Sequence, residues 1–578
     1  MYSDYEIRQL PLSVGANRLM VERFLAQSQL RLDDVDYYAG VFSADGDELL
    51  AGGGLLGDVI KCIAVDNNLR SEGLAARLVS HLISTAATHG HQSVKVFTKP
   101  ENRHIFTEMG FRLLAETPAA VFLENGRGLE VYCQHLREFR HEGKTGVIVM
   151  NANPFTLGHR YLVEQALRQV DHVYVIAVEE NRSLFSSEER LSMIRAGLSD
   201  LPNVTVCPGS AYSISQATFP TYFLKELSTA ADVQMALDLN LFARHIATAL
   251  GATTRFVGTE PDDPLTARYN MLMQELLPVQ GIAVVEIPRL GGDNPISASR
   301  LRQFLAKRSL KNAAQLVPST TIPHLLAYLA TQAMKVELDL TPKPGLVDRQ
   351  DNGAHTDMDH AVMMASINAL HPYLLQLAHL GHNETMPDVT RMQRVGLEAE
   401  SAMFQATHGV NTHRGALFSL GLTIVAAAHL HATSQGIDTD SLQTAIANVA
   451  KHFPRPENTH GEKVHQQYQV GSALDHAMNG YPRLFGEWLP YYNVHSNDEH
   501  GLHKTLLVIM STLDDTNVYH RCGEAMAHDV KRKASLLLHD FSLNAMADMN
   551  RAFIDSNLSP GGSADMLALT VFIHSITN

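Results

Sequence analysis

Thr156, Gly158 and His159 stand in the stretch GVIVMNANPFTLGHRYLVEQ (146–165), and Ser297, Ser299 and Arg302 stand in ISASRLR (296–302). Three hydroxyl groups, a glycine, an imidazole and a guanidinium at this kind of spacing suit the binding of a polyphosphate. The first stretch is an apolar β-branched run, then a small-residue turn, then a helix-period pattern. That is how a parallel sheet delivers a strand to a phosphate site. The turn puts Thr156, Gly158 and His159 at a helix N-terminus, where free N–H groups and the helix dipole favour an anion. Gly158 lets a phosphate approach the backbone, and His159 is placed to hydrogen-bond an α-phosphate as charge builds there. Asn153, earlier in the same turn, is grouped with these nucleotide-binding residues. Ser297, Ser299 and Arg302 start a second helix and are expected to hold the outer phosphates, with His159 and Arg302 as catalytic groups.

The elements that must position these residues alternate strand and helix from 136 to about 315, the pattern of a doubly wound sheet. The expected strands are GVIVMN, HVYVIAVE, NVTVCPG, VQMALD, TRFVGT and AVVEIPR, with helices beginning near Gly158, Ser187, Phe219, Leu239 and Thr266. SSEER reads as a capped helix start with Ser186 or Ser187 as N-cap. Asp238, Glu260 and Arg289 are expected at or just past strand C-termini, where such folds bind ligands. Residues 1–135 also alternate. YYAGVFSADGDELLAGGGLLGDVIKCIAVD reads as successive strands, RSEGLAARLVSHLISTAATHG as an amphipathic helix, VKVFT as a buried strand and ENRHIFTEMGF as a short helix ending in a glycine turn. Arg70, Gly73 and Ala75 form an RxxGxA loop at a helix start, a cradle for a pyrophosphate.

A chain of 578 residues exceeds one core, and three domains are expected: 1–135, 136–320 and 321–578. The fold class is therefore multidomain, with two α/β domains and an all-α C-terminal domain. A formal net charge of −15 argues against nucleic acid as a bulk partner. No apolar run reads as long enough to span a bilayer, MYSDYEIRQL lacks a signal-peptide h-region, and four dispersed cysteines imply a reduced, cytoplasmic protein.

After about residue 320 strand signals give way to Ala/Leu/His-rich helical patterns. Between them lie loops dense in Asp, His and Arg: TPKPGLVDRQDNGAHTDMDH, GVNTHRG, NTHGEKV, DDTNVYHRCG and LSPGGSADM. For any one loop, turn punctuation and helix capping explain such residues. Five in one helical domain point to a site built between helix ends. Asp348, Asp357 and Asp359 suit Mg²⁺, a cation that prefers oxygen ligands and bridges to phosphates, and Asp357 and Asp359 are also the expected catalytic carboxylates. Lys343, Arg349, His355, Arg414 and Arg521 are expected to bind a polyphosphate. DEHGLHK puts its Glu before His500 and His503, unlike HExxH, so no zinc site is read there.

The TLGH and ISASRLR pair resembles the T/HxGH and ISxSxxR motifs of the nucleotidyltransferase superfamily. The RxxGxA loop with Asn102, Phe106, Gly110 and Phe111 resembles the GNAT acyltransferase fold. Residues 1 to about 320 resemble citrate lyase ligase through NANPFTLGHRYLVEQA, SISQATFPTYFLK, RFVGTEPDDPLTARYN and ISASRLR. Residues from about 321 resemble triphosphoribosyl-dephospho-CoA synthase through TPKPGLVDRQDNGAHTDMD, NTHRGALFSLG and SPGGSADMLA. The resemblance implies two activities. One is ATP- and acetate-dependent acetylation of the thiol on the prosthetic group of the citrate lyase acyl-carrier subunit. The other joins ATP to dephospho-CoA with release of adenine. The net charge and the lack of a long apolar run lead us to expect no nucleic acid and no membrane among the partners. Two departures stand out: GSALDH (471–476) replaces an expected Gly-Gly-Ala-Arg-Gly-Glu, and Cys522 stands where a second glycine is usual. The rival readings are an adenylyltransferase that builds a CoA-like or NAD-like dinucleotide, and a ligase whose last domain is a non-catalytic CoA-binding scaffold.

Overall fold

A computed structural model describes residues 5–578 except 44, 45, 47, 70, 71, 180–182, 215–218, 221, 225–229, 262, 293 and 456–459. The chain divides into two compact units, one of residues 1–153 and 158–295 and one of residues 154–157 and 296–578.

The first unit contains two sheets. Strands β1 (Glu6–Gln9), β2 (Tyr37–Phe42), β3 (Leu49–Leu56), β4 (Val59–Val65), β5 (Val94–Thr98), β6 (Arg112–Glu116) and β7 (Val121–Asn125) form one sheet in the order β1-β2-β3-β4-β5-β7-β6. Only β4 and β5 pair in parallel, and the helix Leu74–Thr88 makes that crossover. Leu74, Leu78 and Leu82, one turn apart, bury its inner face against β3. The glycines of β3 let it approach. A Cβ on Gly53 would lie within 3.3 Å of Leu78, Leu82 and Ile63, and one on Gly52 would lie 2.5 Å from the Tyr38 hydroxyl.

The second sheet is wholly parallel: β8 (Thr145–Met150), β9 (His172–Ala177), β10 (Val204–Cys207), β11 (Thr254–Gly258) and β12 (Ala283–Ile287), in the order β10-β9-β8-β11-β12. Every residue of β9 is buried, as befits a sheet covered on both faces. One apolar core runs through both sheets' neighbourhoods, joining Cys62, Phe97 and Phe122 to Val147, Tyr174 and Leu237. Polar ties cross the same junction: the Tyr212 hydroxyl donates to Glu124, Lys95 Nζ to the Ala211 carbonyl at 3.2 Å, and Asn240 Nδ2 to the Glu116 carbonyl at 3.0 Å.

The expected strand VQMALD is instead part of the helix Ala230–Leu241. Ala, Gln, Met and Leu dominate this run, and only Val233 is β-branched, so helix propensity and a partner for its apolar faces prevail. The helix expected near Phe219 is not seen in Phe219, Pro220 or residues 222–224, which form turns; much of the remainder lies outside the described residues.

The second unit is a helical assembly. Ile322–Asp339 packs against His360–Gly381 and Gly561–Thr577, and Arg414–Ala432 packs against His360–Gly381 and Gly561–Thr577 as well. Between Ala416 and Leu430 all residues but Phe418 and His429 are buried. This helix is long and apolar enough to cross a membrane by length and composition, contrary to the sequence reading. However, 72% of its most apolar window is buried, because it is the central helix of the bundle.

Candidate functional site

β8 ends at Met150, and the chain turns through Ala152, held at a positive φ of 47°, into the helix Leu157–Leu167. Arg190, with no exposed surface, stiffens the turn from within the first unit. Its Nη1 donates to the Asn151 carbonyl and side chain (2.8 and 2.7 Å) and to the Val178 carbonyl (2.7 Å), so the ends of β8 and β9 are tied together. Asn153 is buried and its side-chain oxygen accepts from Phe185 N at 3.2 Å. Gly158 and His159, half-buried, occupy the first helical turn, where amide groups have no intrahelical acceptor. The expected cap at SSEER is present: Ser186 accepts from Glu189 N and Glu189 reaches back to Ser186 N.

Thr156 is buried in the second unit, where neighbouring Leu157 donates to the Leu316 carbonyl at 2.9 Å. In the same unit Ser297 caps the helix Ala298–Ala306 by accepting from Arg300 N at 3.2 Å. Arg302 Nη2 donates to Ser299 Oγ at 3.0 Å, so three of the expected phosphate ligands share one helical turn.

Glu260 lies past β11 and Arg289 past β12, as expected, and they pair with each other. Asp238 does not lie at a strand end. It is within the helix Ala230–Leu241, accepting from the Tyr269 hydroxyl and from Ile214 N (2.8 Å), and burial raises its carboxyl pKa. Gly73, at a φ of 72°, is the N-cap of the helix Leu74–Thr88, and Ala75 is that helix's second residue. Arg70 lies outside the described residues.

The polar loops of the helical unit organise themselves around a few acids. Asp348 is buried and accepts from the amides of Lys343 (3.1 Å), Gln350 (2.7 Å) and Asp351 (3.1 Å), which shapes the loop. Lys343 is buried against Glu337 at 2.5 Å. Arg349 and His360 both bind Asp339, and hydrogen bonding to Arg349 contributes most to holding that carboxyl down at about 2. Arg414 pairs with Glu400 at 3.0 Å. His355 bonds Ser559 Oγ at 2.8 Å and lies 3.7 Å from Asp357. Burial, with the Arg521 charge nearby, lowers its pKa. Arg521 also reaches the Ala354 carbonyl at 3.5 Å, so His355, Asp357 and Arg521 are gathered in one place. Asp359 caps the helix His360–Gly381 through Val362 N at 2.8 Å.

The family model for the citrate lyase ligase C-terminal domain matches residues 145–325, and that for ATP:dephospho-CoA triphosphoribosyl transferase matches residues 323–578. A citrate (pro-3S)-lyase ligase of Haemophilus influenzae is 43% identical over 315 residues, 53% of this chain and 94% of that protein. Its counterpart in Klebsiella pneumoniae is 44% identical over 54% of this chain and 92% of its own length. A Vibrio cholerae protein named "Probable 2-(5''-triphosphoribosyl)-3'-dephosphocoenzyme-A synthase" is 36% identical over 44% of this chain and 89% of its own length. The chain belongs to both families, one in each half, as a fusion.

Sequence reasoning did not single out the acids that crowd the interior of the synthase half. Asp565, on the helix Gly561–Thr577, is half-buried at the N-terminus of Arg414–Ala432, where it accepts a hydrogen bond from Ala416 N. A Cβ on Gly415 would lie 2.0 Å from Asp565 Oδ2, so glycine is needed for this approach. Burial, then the neighbouring charges of Glu337 and Asp515, push the Asp565 pKa well above the ordinary carboxylate value. Asp515 is buried and accepts from Ser563 N (2.8 Å), Ser563 Oγ (3.0 Å) and Gly562 N (3.2 Å). His413 bonds Ser366 Oγ at 2.8 Å, and burial, followed by the Lys343 charge, holds its pKa down at about 3. The signal lay in NTHRGALFSLG and SPGGSADMLA, which carry His413, Gly415, Asp515's partner Ser563 and Asp565.

Among the described residues no group of three or more His, Cys, Asp or Glu side chains is arranged to hold a metal ion. Both oxygens of Asp348 are committed to amides. Asp357, with 60% of its side chain exposed, and Asp359 are the expected carboxylates more open to a cation shared with substrate phosphates, and Mg²⁺ needs only one or two. At the GSALDH departure, Ser472 caps the short helix Ala473–Met478, and Asp475 pairs with Arg455 at 2.7 Å. Next to Cys522, Gly523 breaks the helix with a φ of 79°.

Proposed function

We propose that the ligase half acetylates the thiol of the citrate lyase acyl-carrier prosthetic group, and that the synthase half joins ATP to dephospho-CoA with loss of adenine. The observation that carries this reading is that each half aligns with nine-tenths, near enough, of a relative named for one of these enzymes (94% and 89%). We divide the chain into a GNAT-like domain at 1–135, an acetate-activating nucleotidyltransferase domain at 136–320 and a synthase domain at 321–578, in a cytoplasmic setting.

In the ligase half an acetate oxygen attacks the α-phosphorus of ATP, pyrophosphate leaves with the bonding electrons, and acetyl-adenylate forms. The thiolate then attacks the acyl carbon and AMP departs. Asn153, Thr156 and Gly158 bind the nucleotide, and His159 in the first helical turn stabilises charge on the α-phosphate. Ser297, Ser299 and Arg302 bind the outer phosphates. The Arg302–Ser299 bond supports this by holding both side chains on one turn. Glu260 and Arg289 stand at the ligand-binding edge of the sheet. Asp238 acts from inside, by fixing Tyr269.

In the synthase half a ribose hydroxyl of dephospho-CoA attacks the anomeric carbon of ATP, the C–N bond to adenine breaks, and the hydroxyl gives up its proton to solvent or to a carboxylate as the new C–O bond forms. The leaving base needs a proton, and a carboxyl with a raised pKa is a proton donor at neutral pH. Asp565 is that group: burial and the neighbouring charges of Glu337 and Asp515 keep its proton on, which outweighs the hydrogen bond from Ala416 N, and its partial exposure leaves it within reach of a substrate, which supports the assignment. Lys343, Arg349, His355, Arg414 and Arg521 counter the polyphosphate, with Asp348 shaping their loop. Asp357 and Asp359 would hold Mg²⁺, which supplies charge neutralisation on the triphosphate.

Product analysis of the full chain tests the reading. ATP, acetate and the acyl-carrier subunit should yield AMP, pyrophosphate and an acetyl thioester; ATP and dephospho-CoA with Mg²⁺ should yield free adenine. Absence of adenine from the well-folded chain, with both substrates present, would leave the C-terminal half as a scaffold.

The thiol arm is assigned to the loop at Arg70, Gly73 and Ala75. Gly73 faces open space at a positive φ, so Gly73→Glu adds bulk and negative charge where an anion is expected. The variant should use the acyl carrier poorly while acetyl-adenylate formation is preserved. Equal loss of both steps would make the domain structural.

A further inference from the structure

β11 reads TRFVG, and its second residue is a charge in the interior. Arg255 is 4% exposed, and its guanidinium sits over the Phe242 ring at 4.5 Å. Among the described residues neither Nε nor Nη1 of Arg255 has a hydrogen-bond partner. Buried guanidinium N–H groups left without an acceptor are costly, so a residue of this kind persists where something else meets them. The nearby carboxylate, Asp238, is already engaged by Tyr269 and Ile214.

A cavity of about 30 Å³ adjoins this side chain. Its walls include Val149 at the C-terminal end of β8, Ile176 and Ala177 at that of β9, and Ile246, with Ser210 and Ser213 on the polar side. Arg255 and Asp238 both face it, together with Tyr132, Tyr212 and Tyr269, so it combines one cationic fork, one carboxyl already hydrogen-bonded by Tyr269, several hydroxyl groups and an aliphatic wall. It also lies under the strand ends from which the chain turns towards His159. The space is roughly twice what a single water requires, so any ligand held here is no larger than a few heavy atoms.

We propose that this cavity is the carboxylate-substrate site of the ligase half: Arg255 Nε and Nη1 hold the carboxylate of a small monocarboxylic acid, and the aliphatic wall limits its chain to two carbons. The inference rests on the ligase reading and adds to it the residue that binds the acid and the device that selects its length. A guanidinium fork matches a carboxylate in geometry and charge, and the two N–H groups that Asp238 leaves unbonded are the ones offered to it.

The test uses the full chain and two readouts. Acetate binding without ATP is followed by thermal shift and by saturation-transfer NMR on acetate itself; acetyl-adenylate formation is followed by pyrophosphate release. Arg255→Gln should abolish the acetate-dependent shift and raise the KM for acetate at least tenfold, with the KM for ATP unchanged. Ile246→Ala, which enlarges the cavity and keeps Arg255, should gain use of propionate. An unchanged acetate KM in folded Arg255→Gln overturns the proposal, as does an Ile246→Ala protein that uses acetate normally and gains no propionate activity. Should Arg255→Gln fail to fold, the Ile246→Ala result decides. Wild-type protein that binds acetate through Arg255 yet forms no adenylate would count against the ligase reading and leave the site standing.

Discussion

Replacement of His159 by alanine is expected to lower acetate- and ATP-dependent acetylation by about 10²–10³-fold, the usual cost of removing one preorganised donor to a developing oxyanion. His159 occupies the first turn of an 11-residue helix whose approach is pinned at Asn151 by the buried Arg190, so the backbone that leads to it is ordered before substrate arrives. That preorganisation is why the loss should fall on the rate rather than on nucleotide binding. Pyrophosphate release under saturating ATP is the readout, with adenine release by the synthase half as an internal control that should not change. Turnover near that of the wild type would remove the acetate-activating assignment from the TLGH turn.

Asp565→Asn is expected to reduce adenine release by about 10²–10⁴-fold, the range for loss of a general acid, and to leave acetylation untouched. Asparagine keeps the shape and the oxygen that accepts from Ala416 N, so the variant removes the transferable proton and little else. The pH dependence has a definite sign. The folded-state pKa of Asp565 is raised, so its proton is present at low pH and is lost as pH rises through that raised value; the rate should fall on that alkaline side, and the Asn variant should lack this limb. Asp359→Asn separates the roles. Asparagine caps helices as well as aspartate does, so the helix His360–Gly381 should survive while a cation ligand is weakened. Its adenine release should fall steeply at low Mg²⁺. Unchanged rates at every Mg²⁺ concentration would confine Asp359 to capping.

Local physics made much of the scaffold legible. The continuous apolar, β-branched runs of β8 and β9 and the 3.6-residue spacing of Leu74, Leu78 and Leu82 are patterns that a single strand or helix already displays. The Ser186 cap needs only Glu189 three residues on. VQMALD misled because a short apolar run has no clear period, and its state is set by what covers it. The helix Arg414–Ala432 was legible as a helix of the all-α half, but its apolar length also passes for a membrane span, and only its neighbours decide that it is a bundle core.

The sequence by itself determined the two families and the strand–turn–helix at TLGH, because each is carried by residues adjacent in the chain. The tertiary structure alone decided which charges are buried and what they face. Arg255 and Asp238 are brought to one cavity from a strand and a helix, and Asp565, Glu337, Asp515 and Gly415 converge from four separate segments. Burial and electrostatic neighbourhood are sums over parts distant in sequence, so no window along the chain contains them.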